Sequence, residues 1–203
     1  MNVQTKEVVY IPKSKEQFEE IREKSRSIIM KTALKLFSAN GYHATSISAI
    51  AKEAGIAAGL MYNYFKGKED LLVKIIEERF LDLNRYISEQ LPDEPIPDIG
   101  EIIDATLKGI DSMKDSWKLL ISIMFQPDVS QIATEWIGKL SLHQQEIYEK
   151  YYVIKGIKNP KESAQALSAV MHGIFLSYAH SGDSAEVRLL RNTVIKTLIE
   201  KGI

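Results

Sequence analysis

Apolar residues recur every three or four positions along most of the chain, a spacing that predicts α-helices. The first helix is predicted to begin near Lys15, because Ser14 and Gln17 have the spacing of a capping box, and to end at Asn40-Gly41. A second long helix is predicted from about Lys68 to Gln90, with a length of roughly 33 Å. No segment has the alternation of a β-strand. The sequence therefore predicts an all-α fold.

Three prolines in residues 91–98 interrupt the helical pattern and predict a stiff linker. Helices are predicted beyond it at 99–113, 116–125 and 130–152, followed by one that starts at Asn159-Pro160 and a last one capped by Asp183. The predicted division is an N-terminal arm (1–13), a helix-turn-helix domain (14–67), a connecting helix (68–90) and a larger α-helical domain (91–203).

Residues 46–65, SISAIAKEAGIAAGLMYNYF, predict two short helices joined by a tight turn. Ser46 or Thr45 can cap the first of these helices. Gly55 can adopt the positive φ that ends it, and Ile56 can then pack beneath the turn. A second helix is predicted to start near Ala57 or Ala58. Because two such short helices bury little surface, they need the preceding long helix as a support. This is the plan of a helix-turn-helix, whose second helix enters the major groove of DNA.

The run IIMKTALKLFSANGYHATSISAIAKEAGIAAGLMYNYFKGKEDLL resembles the DNA-binding domain of the TetR family of bacterial transcriptional regulators. The shared features are an apolar helix ending in LF…NGY, a Thr-Ser opening, an AGI turn and the ending Y-x-YF-x-x-K-E-x-L. The resemblance covers roughly residues 26–75. It implies an N-terminal three-helix DNA-binding domain, a larger effector-binding and dimerisation domain, and a homodimer formed through the last two helices.

Candidate DNA contacts follow from the resemblance and from residue chemistry. The resemblance implies phosphate contacts for Thr45, Ser46, Tyr62, Tyr64 and Lys68. Small or apolar side chains can approach thymine methyl groups, and an asparagine amide can reach an adenine edge, which adds Ala57, Ala58, Gly59, Leu60 and Asn63. Two alternatives stay open: Tyr62 can pack against the first helix, and Asn63 can face solvent. A hydroxyl residue is common in the family where Ala57 stands, so specificity is expected to depend more on DNA shape and methyl contacts.

Large apolar residues beyond the linker supply candidates for an effector pocket, with a few polar side chains among them. These candidates are Met113, Trp117, Met124, Phe125, Trp136, Gln144, Tyr148, Met171, His172, Phe175 and Tyr178. The same residues can equally form the core of the domain. The histidines at positions 143, 172 and 180 lack the spacing of metal ligands, so no metal is predicted. No cofactor motif is present, and no nucleophile–base pair indicates an enzyme.

The charge distribution supports a DNA-binding N-terminal end. The chain of 203 residues has a net charge of −1, of which residues 1–75 contribute +4 and the remainder −5. The absence of cysteine, of a signal peptide and of a long apolar run predicts a cytoplasmic protein without a membrane partner.

Together these patterns predict a ligand-responsive transcriptional regulator. We expect a repressor that binds a palindromic operator in double-stranded DNA as a homodimer and is released by a small apolar or amphipathic effector. Two alternatives remain at this stage. One is a dimeric α-helical ligand-binding or scaffold protein without specific DNA binding, and the other is an all-α enzyme.

Overall fold

Eight α-helices and one short 3₁₀ helix make up the described part of the chain, which in this computed structural model comprises residues 14–91, 97–181, 185–194 and 196–197. No strand occurs in these ranges, so the all-α prediction is confirmed. We call the 3₁₀ helix Ala58–Asn63 the recognition segment. The α-helices are α1 (Lys15–Asn40), α2 (Ile47–Glu53), α3 (Lys68–Gln90), α4 (Ile99–Ser112), α5 (Lys114–Met124), α6 (Pro127–Ile154), α7 (Pro160–Ser181) and α8 (Ala185–Val194).

Both predicted ends of α1 are confirmed. Gln17 N donates to Ser14 Oγ (3.3 Å) and Ser14 N donates to Gln17 Oε1 (2.9 Å), which completes the capping box. At the other end, Gly41 has a φ of 88°, and its N–H donates to Phe37 O. Glycine tolerates this backbone conformation, so the chain can leave the helix and turn towards α2.

Five boundaries of α4, α5 and α6 differ from those predicted, including the end of α5 (Met124 rather than Phe125) and the end of α6 (Ile154 rather than Tyr152). α5 begins at Lys114 rather than Ser116, and α4 ends one residue earlier than expected. α6 begins at Pro127 rather than Ser130, because proline fits the first turn of a helix, where its missing N–H has no intrahelical partner to lose. Asp183 and residues 92–96 of the predicted proline linker lie outside the described residues.

The buried apolar side chains form one cluster that runs from α1 to α8, and α6 and α7 pack extensively on each other. The crossing of α3 and α4 depends on Gly109. A Cβ atom at this position would lie 2.6 Å from Leu83 Cδ1 and 2.9 Å from Tyr86 Cδ1, both closer than atoms can pack. Gly109 therefore lets α4 approach α3 closely.

Two polar contacts attach later helices to α4. Tyr151 Oη at the end of α6 donates to Asp98 Oδ2 (3.1 Å), and Asp98 also caps α4 through Gly100 N. Arg191 of α8 donates to the carboxylate of Asp104. Both partners of the second pair are partly exposed, so the pair orients α8 more than it stabilises the fold.

Candidate functional site

The turn of the helix-turn-helix has the predicted geometry. Ser46 Oγ caps α2 by accepting from Ala49 N (3.1 Å). At the end of α2, Gly55 has a φ of 71°. Gly55 N donates to Lys52 O, and Ile56 N donates to Ala51 O. This pair of bonds is a Schellman motif, which satisfies two helix-end carbonyl groups and directs the chain into the recognition segment.

The recognition segment is a 3₁₀ helix, where the sequence predicted an α-helix continuing to Phe65. Ala57 offers no side-chain cap at its start, and Gly59 is a poor helix former, so nothing local favours a longer α-helix. Two buried side chains, Met61 and Phe65, hold it against the core instead. The candidate base-contacting residues on the segment are all exposed: Ala57, Ala58, Gly59, Leu60 and Asn63.

Tyr62 in this segment and Tyr64 directly after it, both predicted to contact phosphates, differ in exposure. Tyr62 is 64 % exposed, so the alternative in which it packs into the core does not hold. Tyr64 is partly buried and packs against the edge of the core, 6.4 Å from the Phe65 ring. Tyr62 therefore presents its whole ring outwards, whereas Tyr64 presents only part of its side chain.

Lys68 connects the start of α3 to the turn that follows α1. Its Nζ donates to Tyr42 O (2.9 Å) and His43 O (3.1 Å), and it lies 4.5 Å from the centre of the Tyr42 ring. The side chain is half-buried, which places a positive charge at the corner where α3 begins. The helix dipole adds to that charge, so this corner suits an anion.

Thr45 occupies a different position from the one expected of a phosphate contact. It is 2 % exposed, and its Oγ1 donates towards Gly41 O (2.8 Å) and Leu36 O (3.3 Å). The hydroxyl group is used to close the turn between α1 and α2. Thr45 thus positions Ser46 and α2 and does not present its side chain to solvent.

Gln126, between α5 and α6, is a residue that sequence reasoning missed. Its Oε1 accepts from Tyr42 N (2.7 Å), and its Nε2 donates to Phe37 O (3.2 Å). Beside it, Ser38 Oγ and Ser122 Oγ lie 2.8 Å apart. One side chain of the larger domain therefore bonds the end of α1 and the turn that Lys68 and Thr45 also hold.

Gln126→Ala is expected to lower the free energy of unfolding by about 1–3 kcal/mol, because it removes the two partly buried hydrogen bonds that the side chain makes to Tyr42 N and Phe37 O. Chemical denaturation followed by circular dichroism measures the change. Gln131→Ala is the matched control, since Gln131 is exposed and its contact with Glu135 is long, at 3.5 Å. Equal stability losses in the two variants would contradict the assigned role of Gln126.

The effector candidates fall into three groups. Trp117, Tyr148, Met171 and Tyr178 are buried, and Met113, Met124, His172 and Phe175 are partly buried. Phe125 is 70 % exposed, which corrects its prediction as an effector contact: it follows the last residue of α5, where the chain turns at the surface. The side chains of Trp136 and Gln144 lie outside the described residues.

An aromatic cluster joins α3, α5 and α7. The Trp117 ring makes edge-to-face contacts with Phe80 (centroids 5.0 Å apart) and Phe175 (5.2 Å). Phe80 was not among the predicted effector residues, because it lies on the connecting helix rather than beyond the linker. Further along the interior, burial raises the pKa of Tyr148 to about 12.

Other kinds of site are not found in the part of the chain that the structure describes. No group of three or more histidine or carboxylate residues there could hold a metal ion. None of the helices in the same ranges is both long and apolar enough to span a bilayer.

Comparison with known proteins identifies the family of the DNA-binding end. The family described as "Bacterial regulatory proteins, tetR family" matches residues 29–75, which include the end of α1, α2, the recognition segment and the start of α3. The chain carries a DNA-binding domain of the tetR family. Its sequence relatives are transcriptional regulators, and it is itself a helix-turn-helix transcriptional regulator.

Two curated relatives show the extent of the similarity. The fatty acid metabolism regulator protein of Bacillus subtilis is 28 % identical over 178 residues, covering 85 % of this chain and 78 % of that protein. The transcriptional regulator AcrR of Shigella flexneri is 30 % identical over 126 residues, covering 61 % of this chain and 55 % of AcrR. The chain thus spans only about half the length of AcrR.

Solved structures share the fold over most of the chain. NalD, the secondary repressor of the MexAB-OprM multidrug efflux pump in Pseudomonas aeruginosa, superposes with a TM-score of 0.66 at 20 % identity, covering 88 % of this chain and 95 % of NalD. The fatty acid degradation regulator FadR of Bacillus halodurans gives a TM-score of 0.63 at 18 % identity, with coverages of 86 % and 94 %. The tetR-type fold therefore extends beyond the DNA-binding end.

Proposed function

We propose that this regulator is a homodimeric repressor that binds a two-fold symmetric operator and dissociates from it when an effector enters the larger domain. The observation that carries the proposal is the recognition segment, whose outward side chains are exposed while Met61 and Phe65 anchor it to the core. A rigidly held, exposed segment of this kind suits insertion into the major groove.

Polar and basic groups around the recognition segment support DNA binding. Lys52 at the end of α2 and Lys66 before α3 are exposed, and Ser46 lies at the N-terminus of α2. Lysine side chains and helix N-termini are the groups that typically contact phosphates. The recognition segment itself presents methyl groups and backbone, which allow a close approach to the bases. Recognition of DNA shape and of thymine methyl groups is therefore favoured.

An exposed stripe on α7 supports the homodimer. Small and apolar residues recur there at intervals of three and four positions, so they lie along one face of the helix: Ala166, Ala169, Gly173 and Leu176. On α8, Leu189 and Leu190 are exposed as well. A second copy packed on α7 and α8 would bury these side chains. It would also supply a second recognition segment for the neighbouring half-site, about 34 Å away.

Through Gln126, a conformational change in the larger domain can reach the DNA-binding end. An effector weakens DNA binding only if it favours a different arrangement of the two recognition segments. A shift of the α5–α6 corner would act on α1 through the Tyr42 and Phe37 contacts of Gln126. The same shift would therefore also move the turn between α1 and α2, to which Lys68 is hydrogen-bonded.

Salt-dependent DNA binding tests the proposal. DNA selected from a random pool, or from the region upstream of the gene, is compared with unrelated DNA across a series of salt concentrations. Specific binding is expected to exceed non-specific binding by at least about a thousandfold at physiological salt. Equal affinities for both DNAs would instead favour a dimeric ligand-binding or scaffold protein.

A further inference from the structure

Three buried polar atoms in the larger domain have no hydrogen-bond partner within the described part of the chain: Trp117 Nε1, Tyr152 Oη and Ser168 Oγ. All three side chains are almost completely buried. Folded proteins pair the great majority of such atoms, because an unpaired buried donor is costly. Three unpaired atoms in one domain therefore point to a partner that the described part of the chain does not provide.

Trp117 is the most informative of the three, because an indole N–H can donate a hydrogen bond but cannot accept one. The rings that pack on it, Phe80 and Phe175, offer no acceptor of ordinary strength. Both phenylalanines are only partly buried, so they are the side chains of this cluster through which a molecule from solvent could reach Trp117.

The face of α7 next to this cluster adds polar groups. Ser168 lies seven residues before Phe175 and so occupies the same face of the helix, with His172 between them. His172 Nδ1 is 2.8 Å from Ser168 O. Since a carbonyl oxygen only accepts, this contact places the proton on Nδ1. The polar groups here are hydroxyl, indole and imidazole groups beside aromatic rings.

The charge of the interior restricts the ligand further. Among the residues whose side-chain burial the structure describes, no lysine, arginine, aspartate or glutamate is buried. An ionised group brought into this interior would lose its hydration without gaining a counter-ion. The ligand must therefore be uncharged where it contacts the aromatic cluster.

We propose that the cluster of Phe80, Trp117 and Phe175 takes up a neutral, largely apolar ligand whose carbonyl, ester or ether oxygen accepts a hydrogen bond from Trp117 Nε1. This proposal rests on the effector-binding function proposed above and specifies the chemistry of the effector.

Three probes of similar size test the proposal: acetophenone, which is neutral and has an acceptor; ethylbenzene, which has none; and benzoate, which is charged. Trp136→Phe in the full-length protein leaves Trp117 as the sole tryptophan, because the chain contains two. Its indole N–H signal is then followed by ¹⁵N-resolved NMR. Acetophenone is expected to move the indole proton downfield and to bind about tenfold more tightly than ethylbenzene. Benzoate is expected to bind at least tenfold more weakly than acetophenone.

Trp117→Phe should remove the preference for acetophenone over ethylbenzene while keeping an aromatic ring in the cluster. If this variant does not fold, the NMR comparison on the Trp136→Phe protein is sufficient to test the proposed ligand chemistry. Equal downfield shifts with acetophenone and ethylbenzene, benzoate binding as tight as acetophenone binding, or no binding of any probe would each overturn the proposal. Operator binding by the unliganded protein is a separate measurement, so a failure of the ligand chemistry is distinguishable from a failure of the regulator function.

Discussion

Gly173→Arg is expected to give a monomer in solution and to weaken operator binding by more than about a hundredfold. Gly173 lies on the exposed stripe of α7, and a Cβ atom there would meet nothing within 4 Å in the single chain. The monomer therefore has room for a larger side chain, and replacing glycine within a helix favours helix formation. Two copies packed closely along α7 have no such room, so the charged side chain should force them apart.

Gly138→Arg is the matched control for this variant. Gly138 lies on α6, is exposed, and has the same open space around its Cβ position. It is expected to leave both the molecular mass measured by light scattering and the operator affinity unchanged. If Gly173→Arg stays dimeric with normal operator binding, α7 is not the dimer interface.

Ala58→Glu is expected to abolish specific operator binding, with a loss of more than about a hundredfold, and to leave the melting temperature unchanged. Ala58 is the first residue of the recognition segment and is exposed, so the free protein tolerates a longer side chain. On DNA, the carboxylate would lie in a groove lined by phosphates, and no bound cation would offset the repulsion. Fluorescence anisotropy with labelled operator measures the loss.

Asn84→Asp is the control for the added charge. Asn84 is exposed on α3, about 24 Å along the helix from Lys68, and aspartate has nearly the same shape as asparagine. This distance exceeds the Debye length of about 8 Å at physiological salt, so operator affinity should change little. A similar loss in both variants would mean that net charge, and not the position of Ala58, determines binding.

Features that depend on neighbouring residues could be predicted from the sequence. The capping box of Ser14 and Gln17 and the glycine turns at Gly41 and Gly55 all depend on residues within five positions. Backbone hydrogen-bonding requirements and the conformational freedom of glycine were sufficient for these predictions. The helix-turn-helix is of this local kind, which is why its turn was predicted correctly.

Features that depend on distant residues were missed. The contacts of Gln126 join positions 84 and 89 residues apart, and no local pattern indicates such a pair. Thr45 is a residue type that can cap a helix, yet it is buried, and its hydroxyl donates towards Gly41 O and towards Leu36 O, nine residues earlier. Phe125 is apolar but lies at a turn on the surface. At these positions the folded environment overrode what the residue type suggested.

The close approach at Gly109 has a mechanical consequence for α3. Leu83, which touches Gly109, lies 15 residues from Lys68, or about 22 Å along the helix. With the helices so near to each other at this point, α3 can tilt about it more readily than it can slide past it. A tilt of about 5° would move the Lys68 end of α3 by about 2 Å. A small rotation at the crossing is therefore amplified along the helix towards the DNA-binding end.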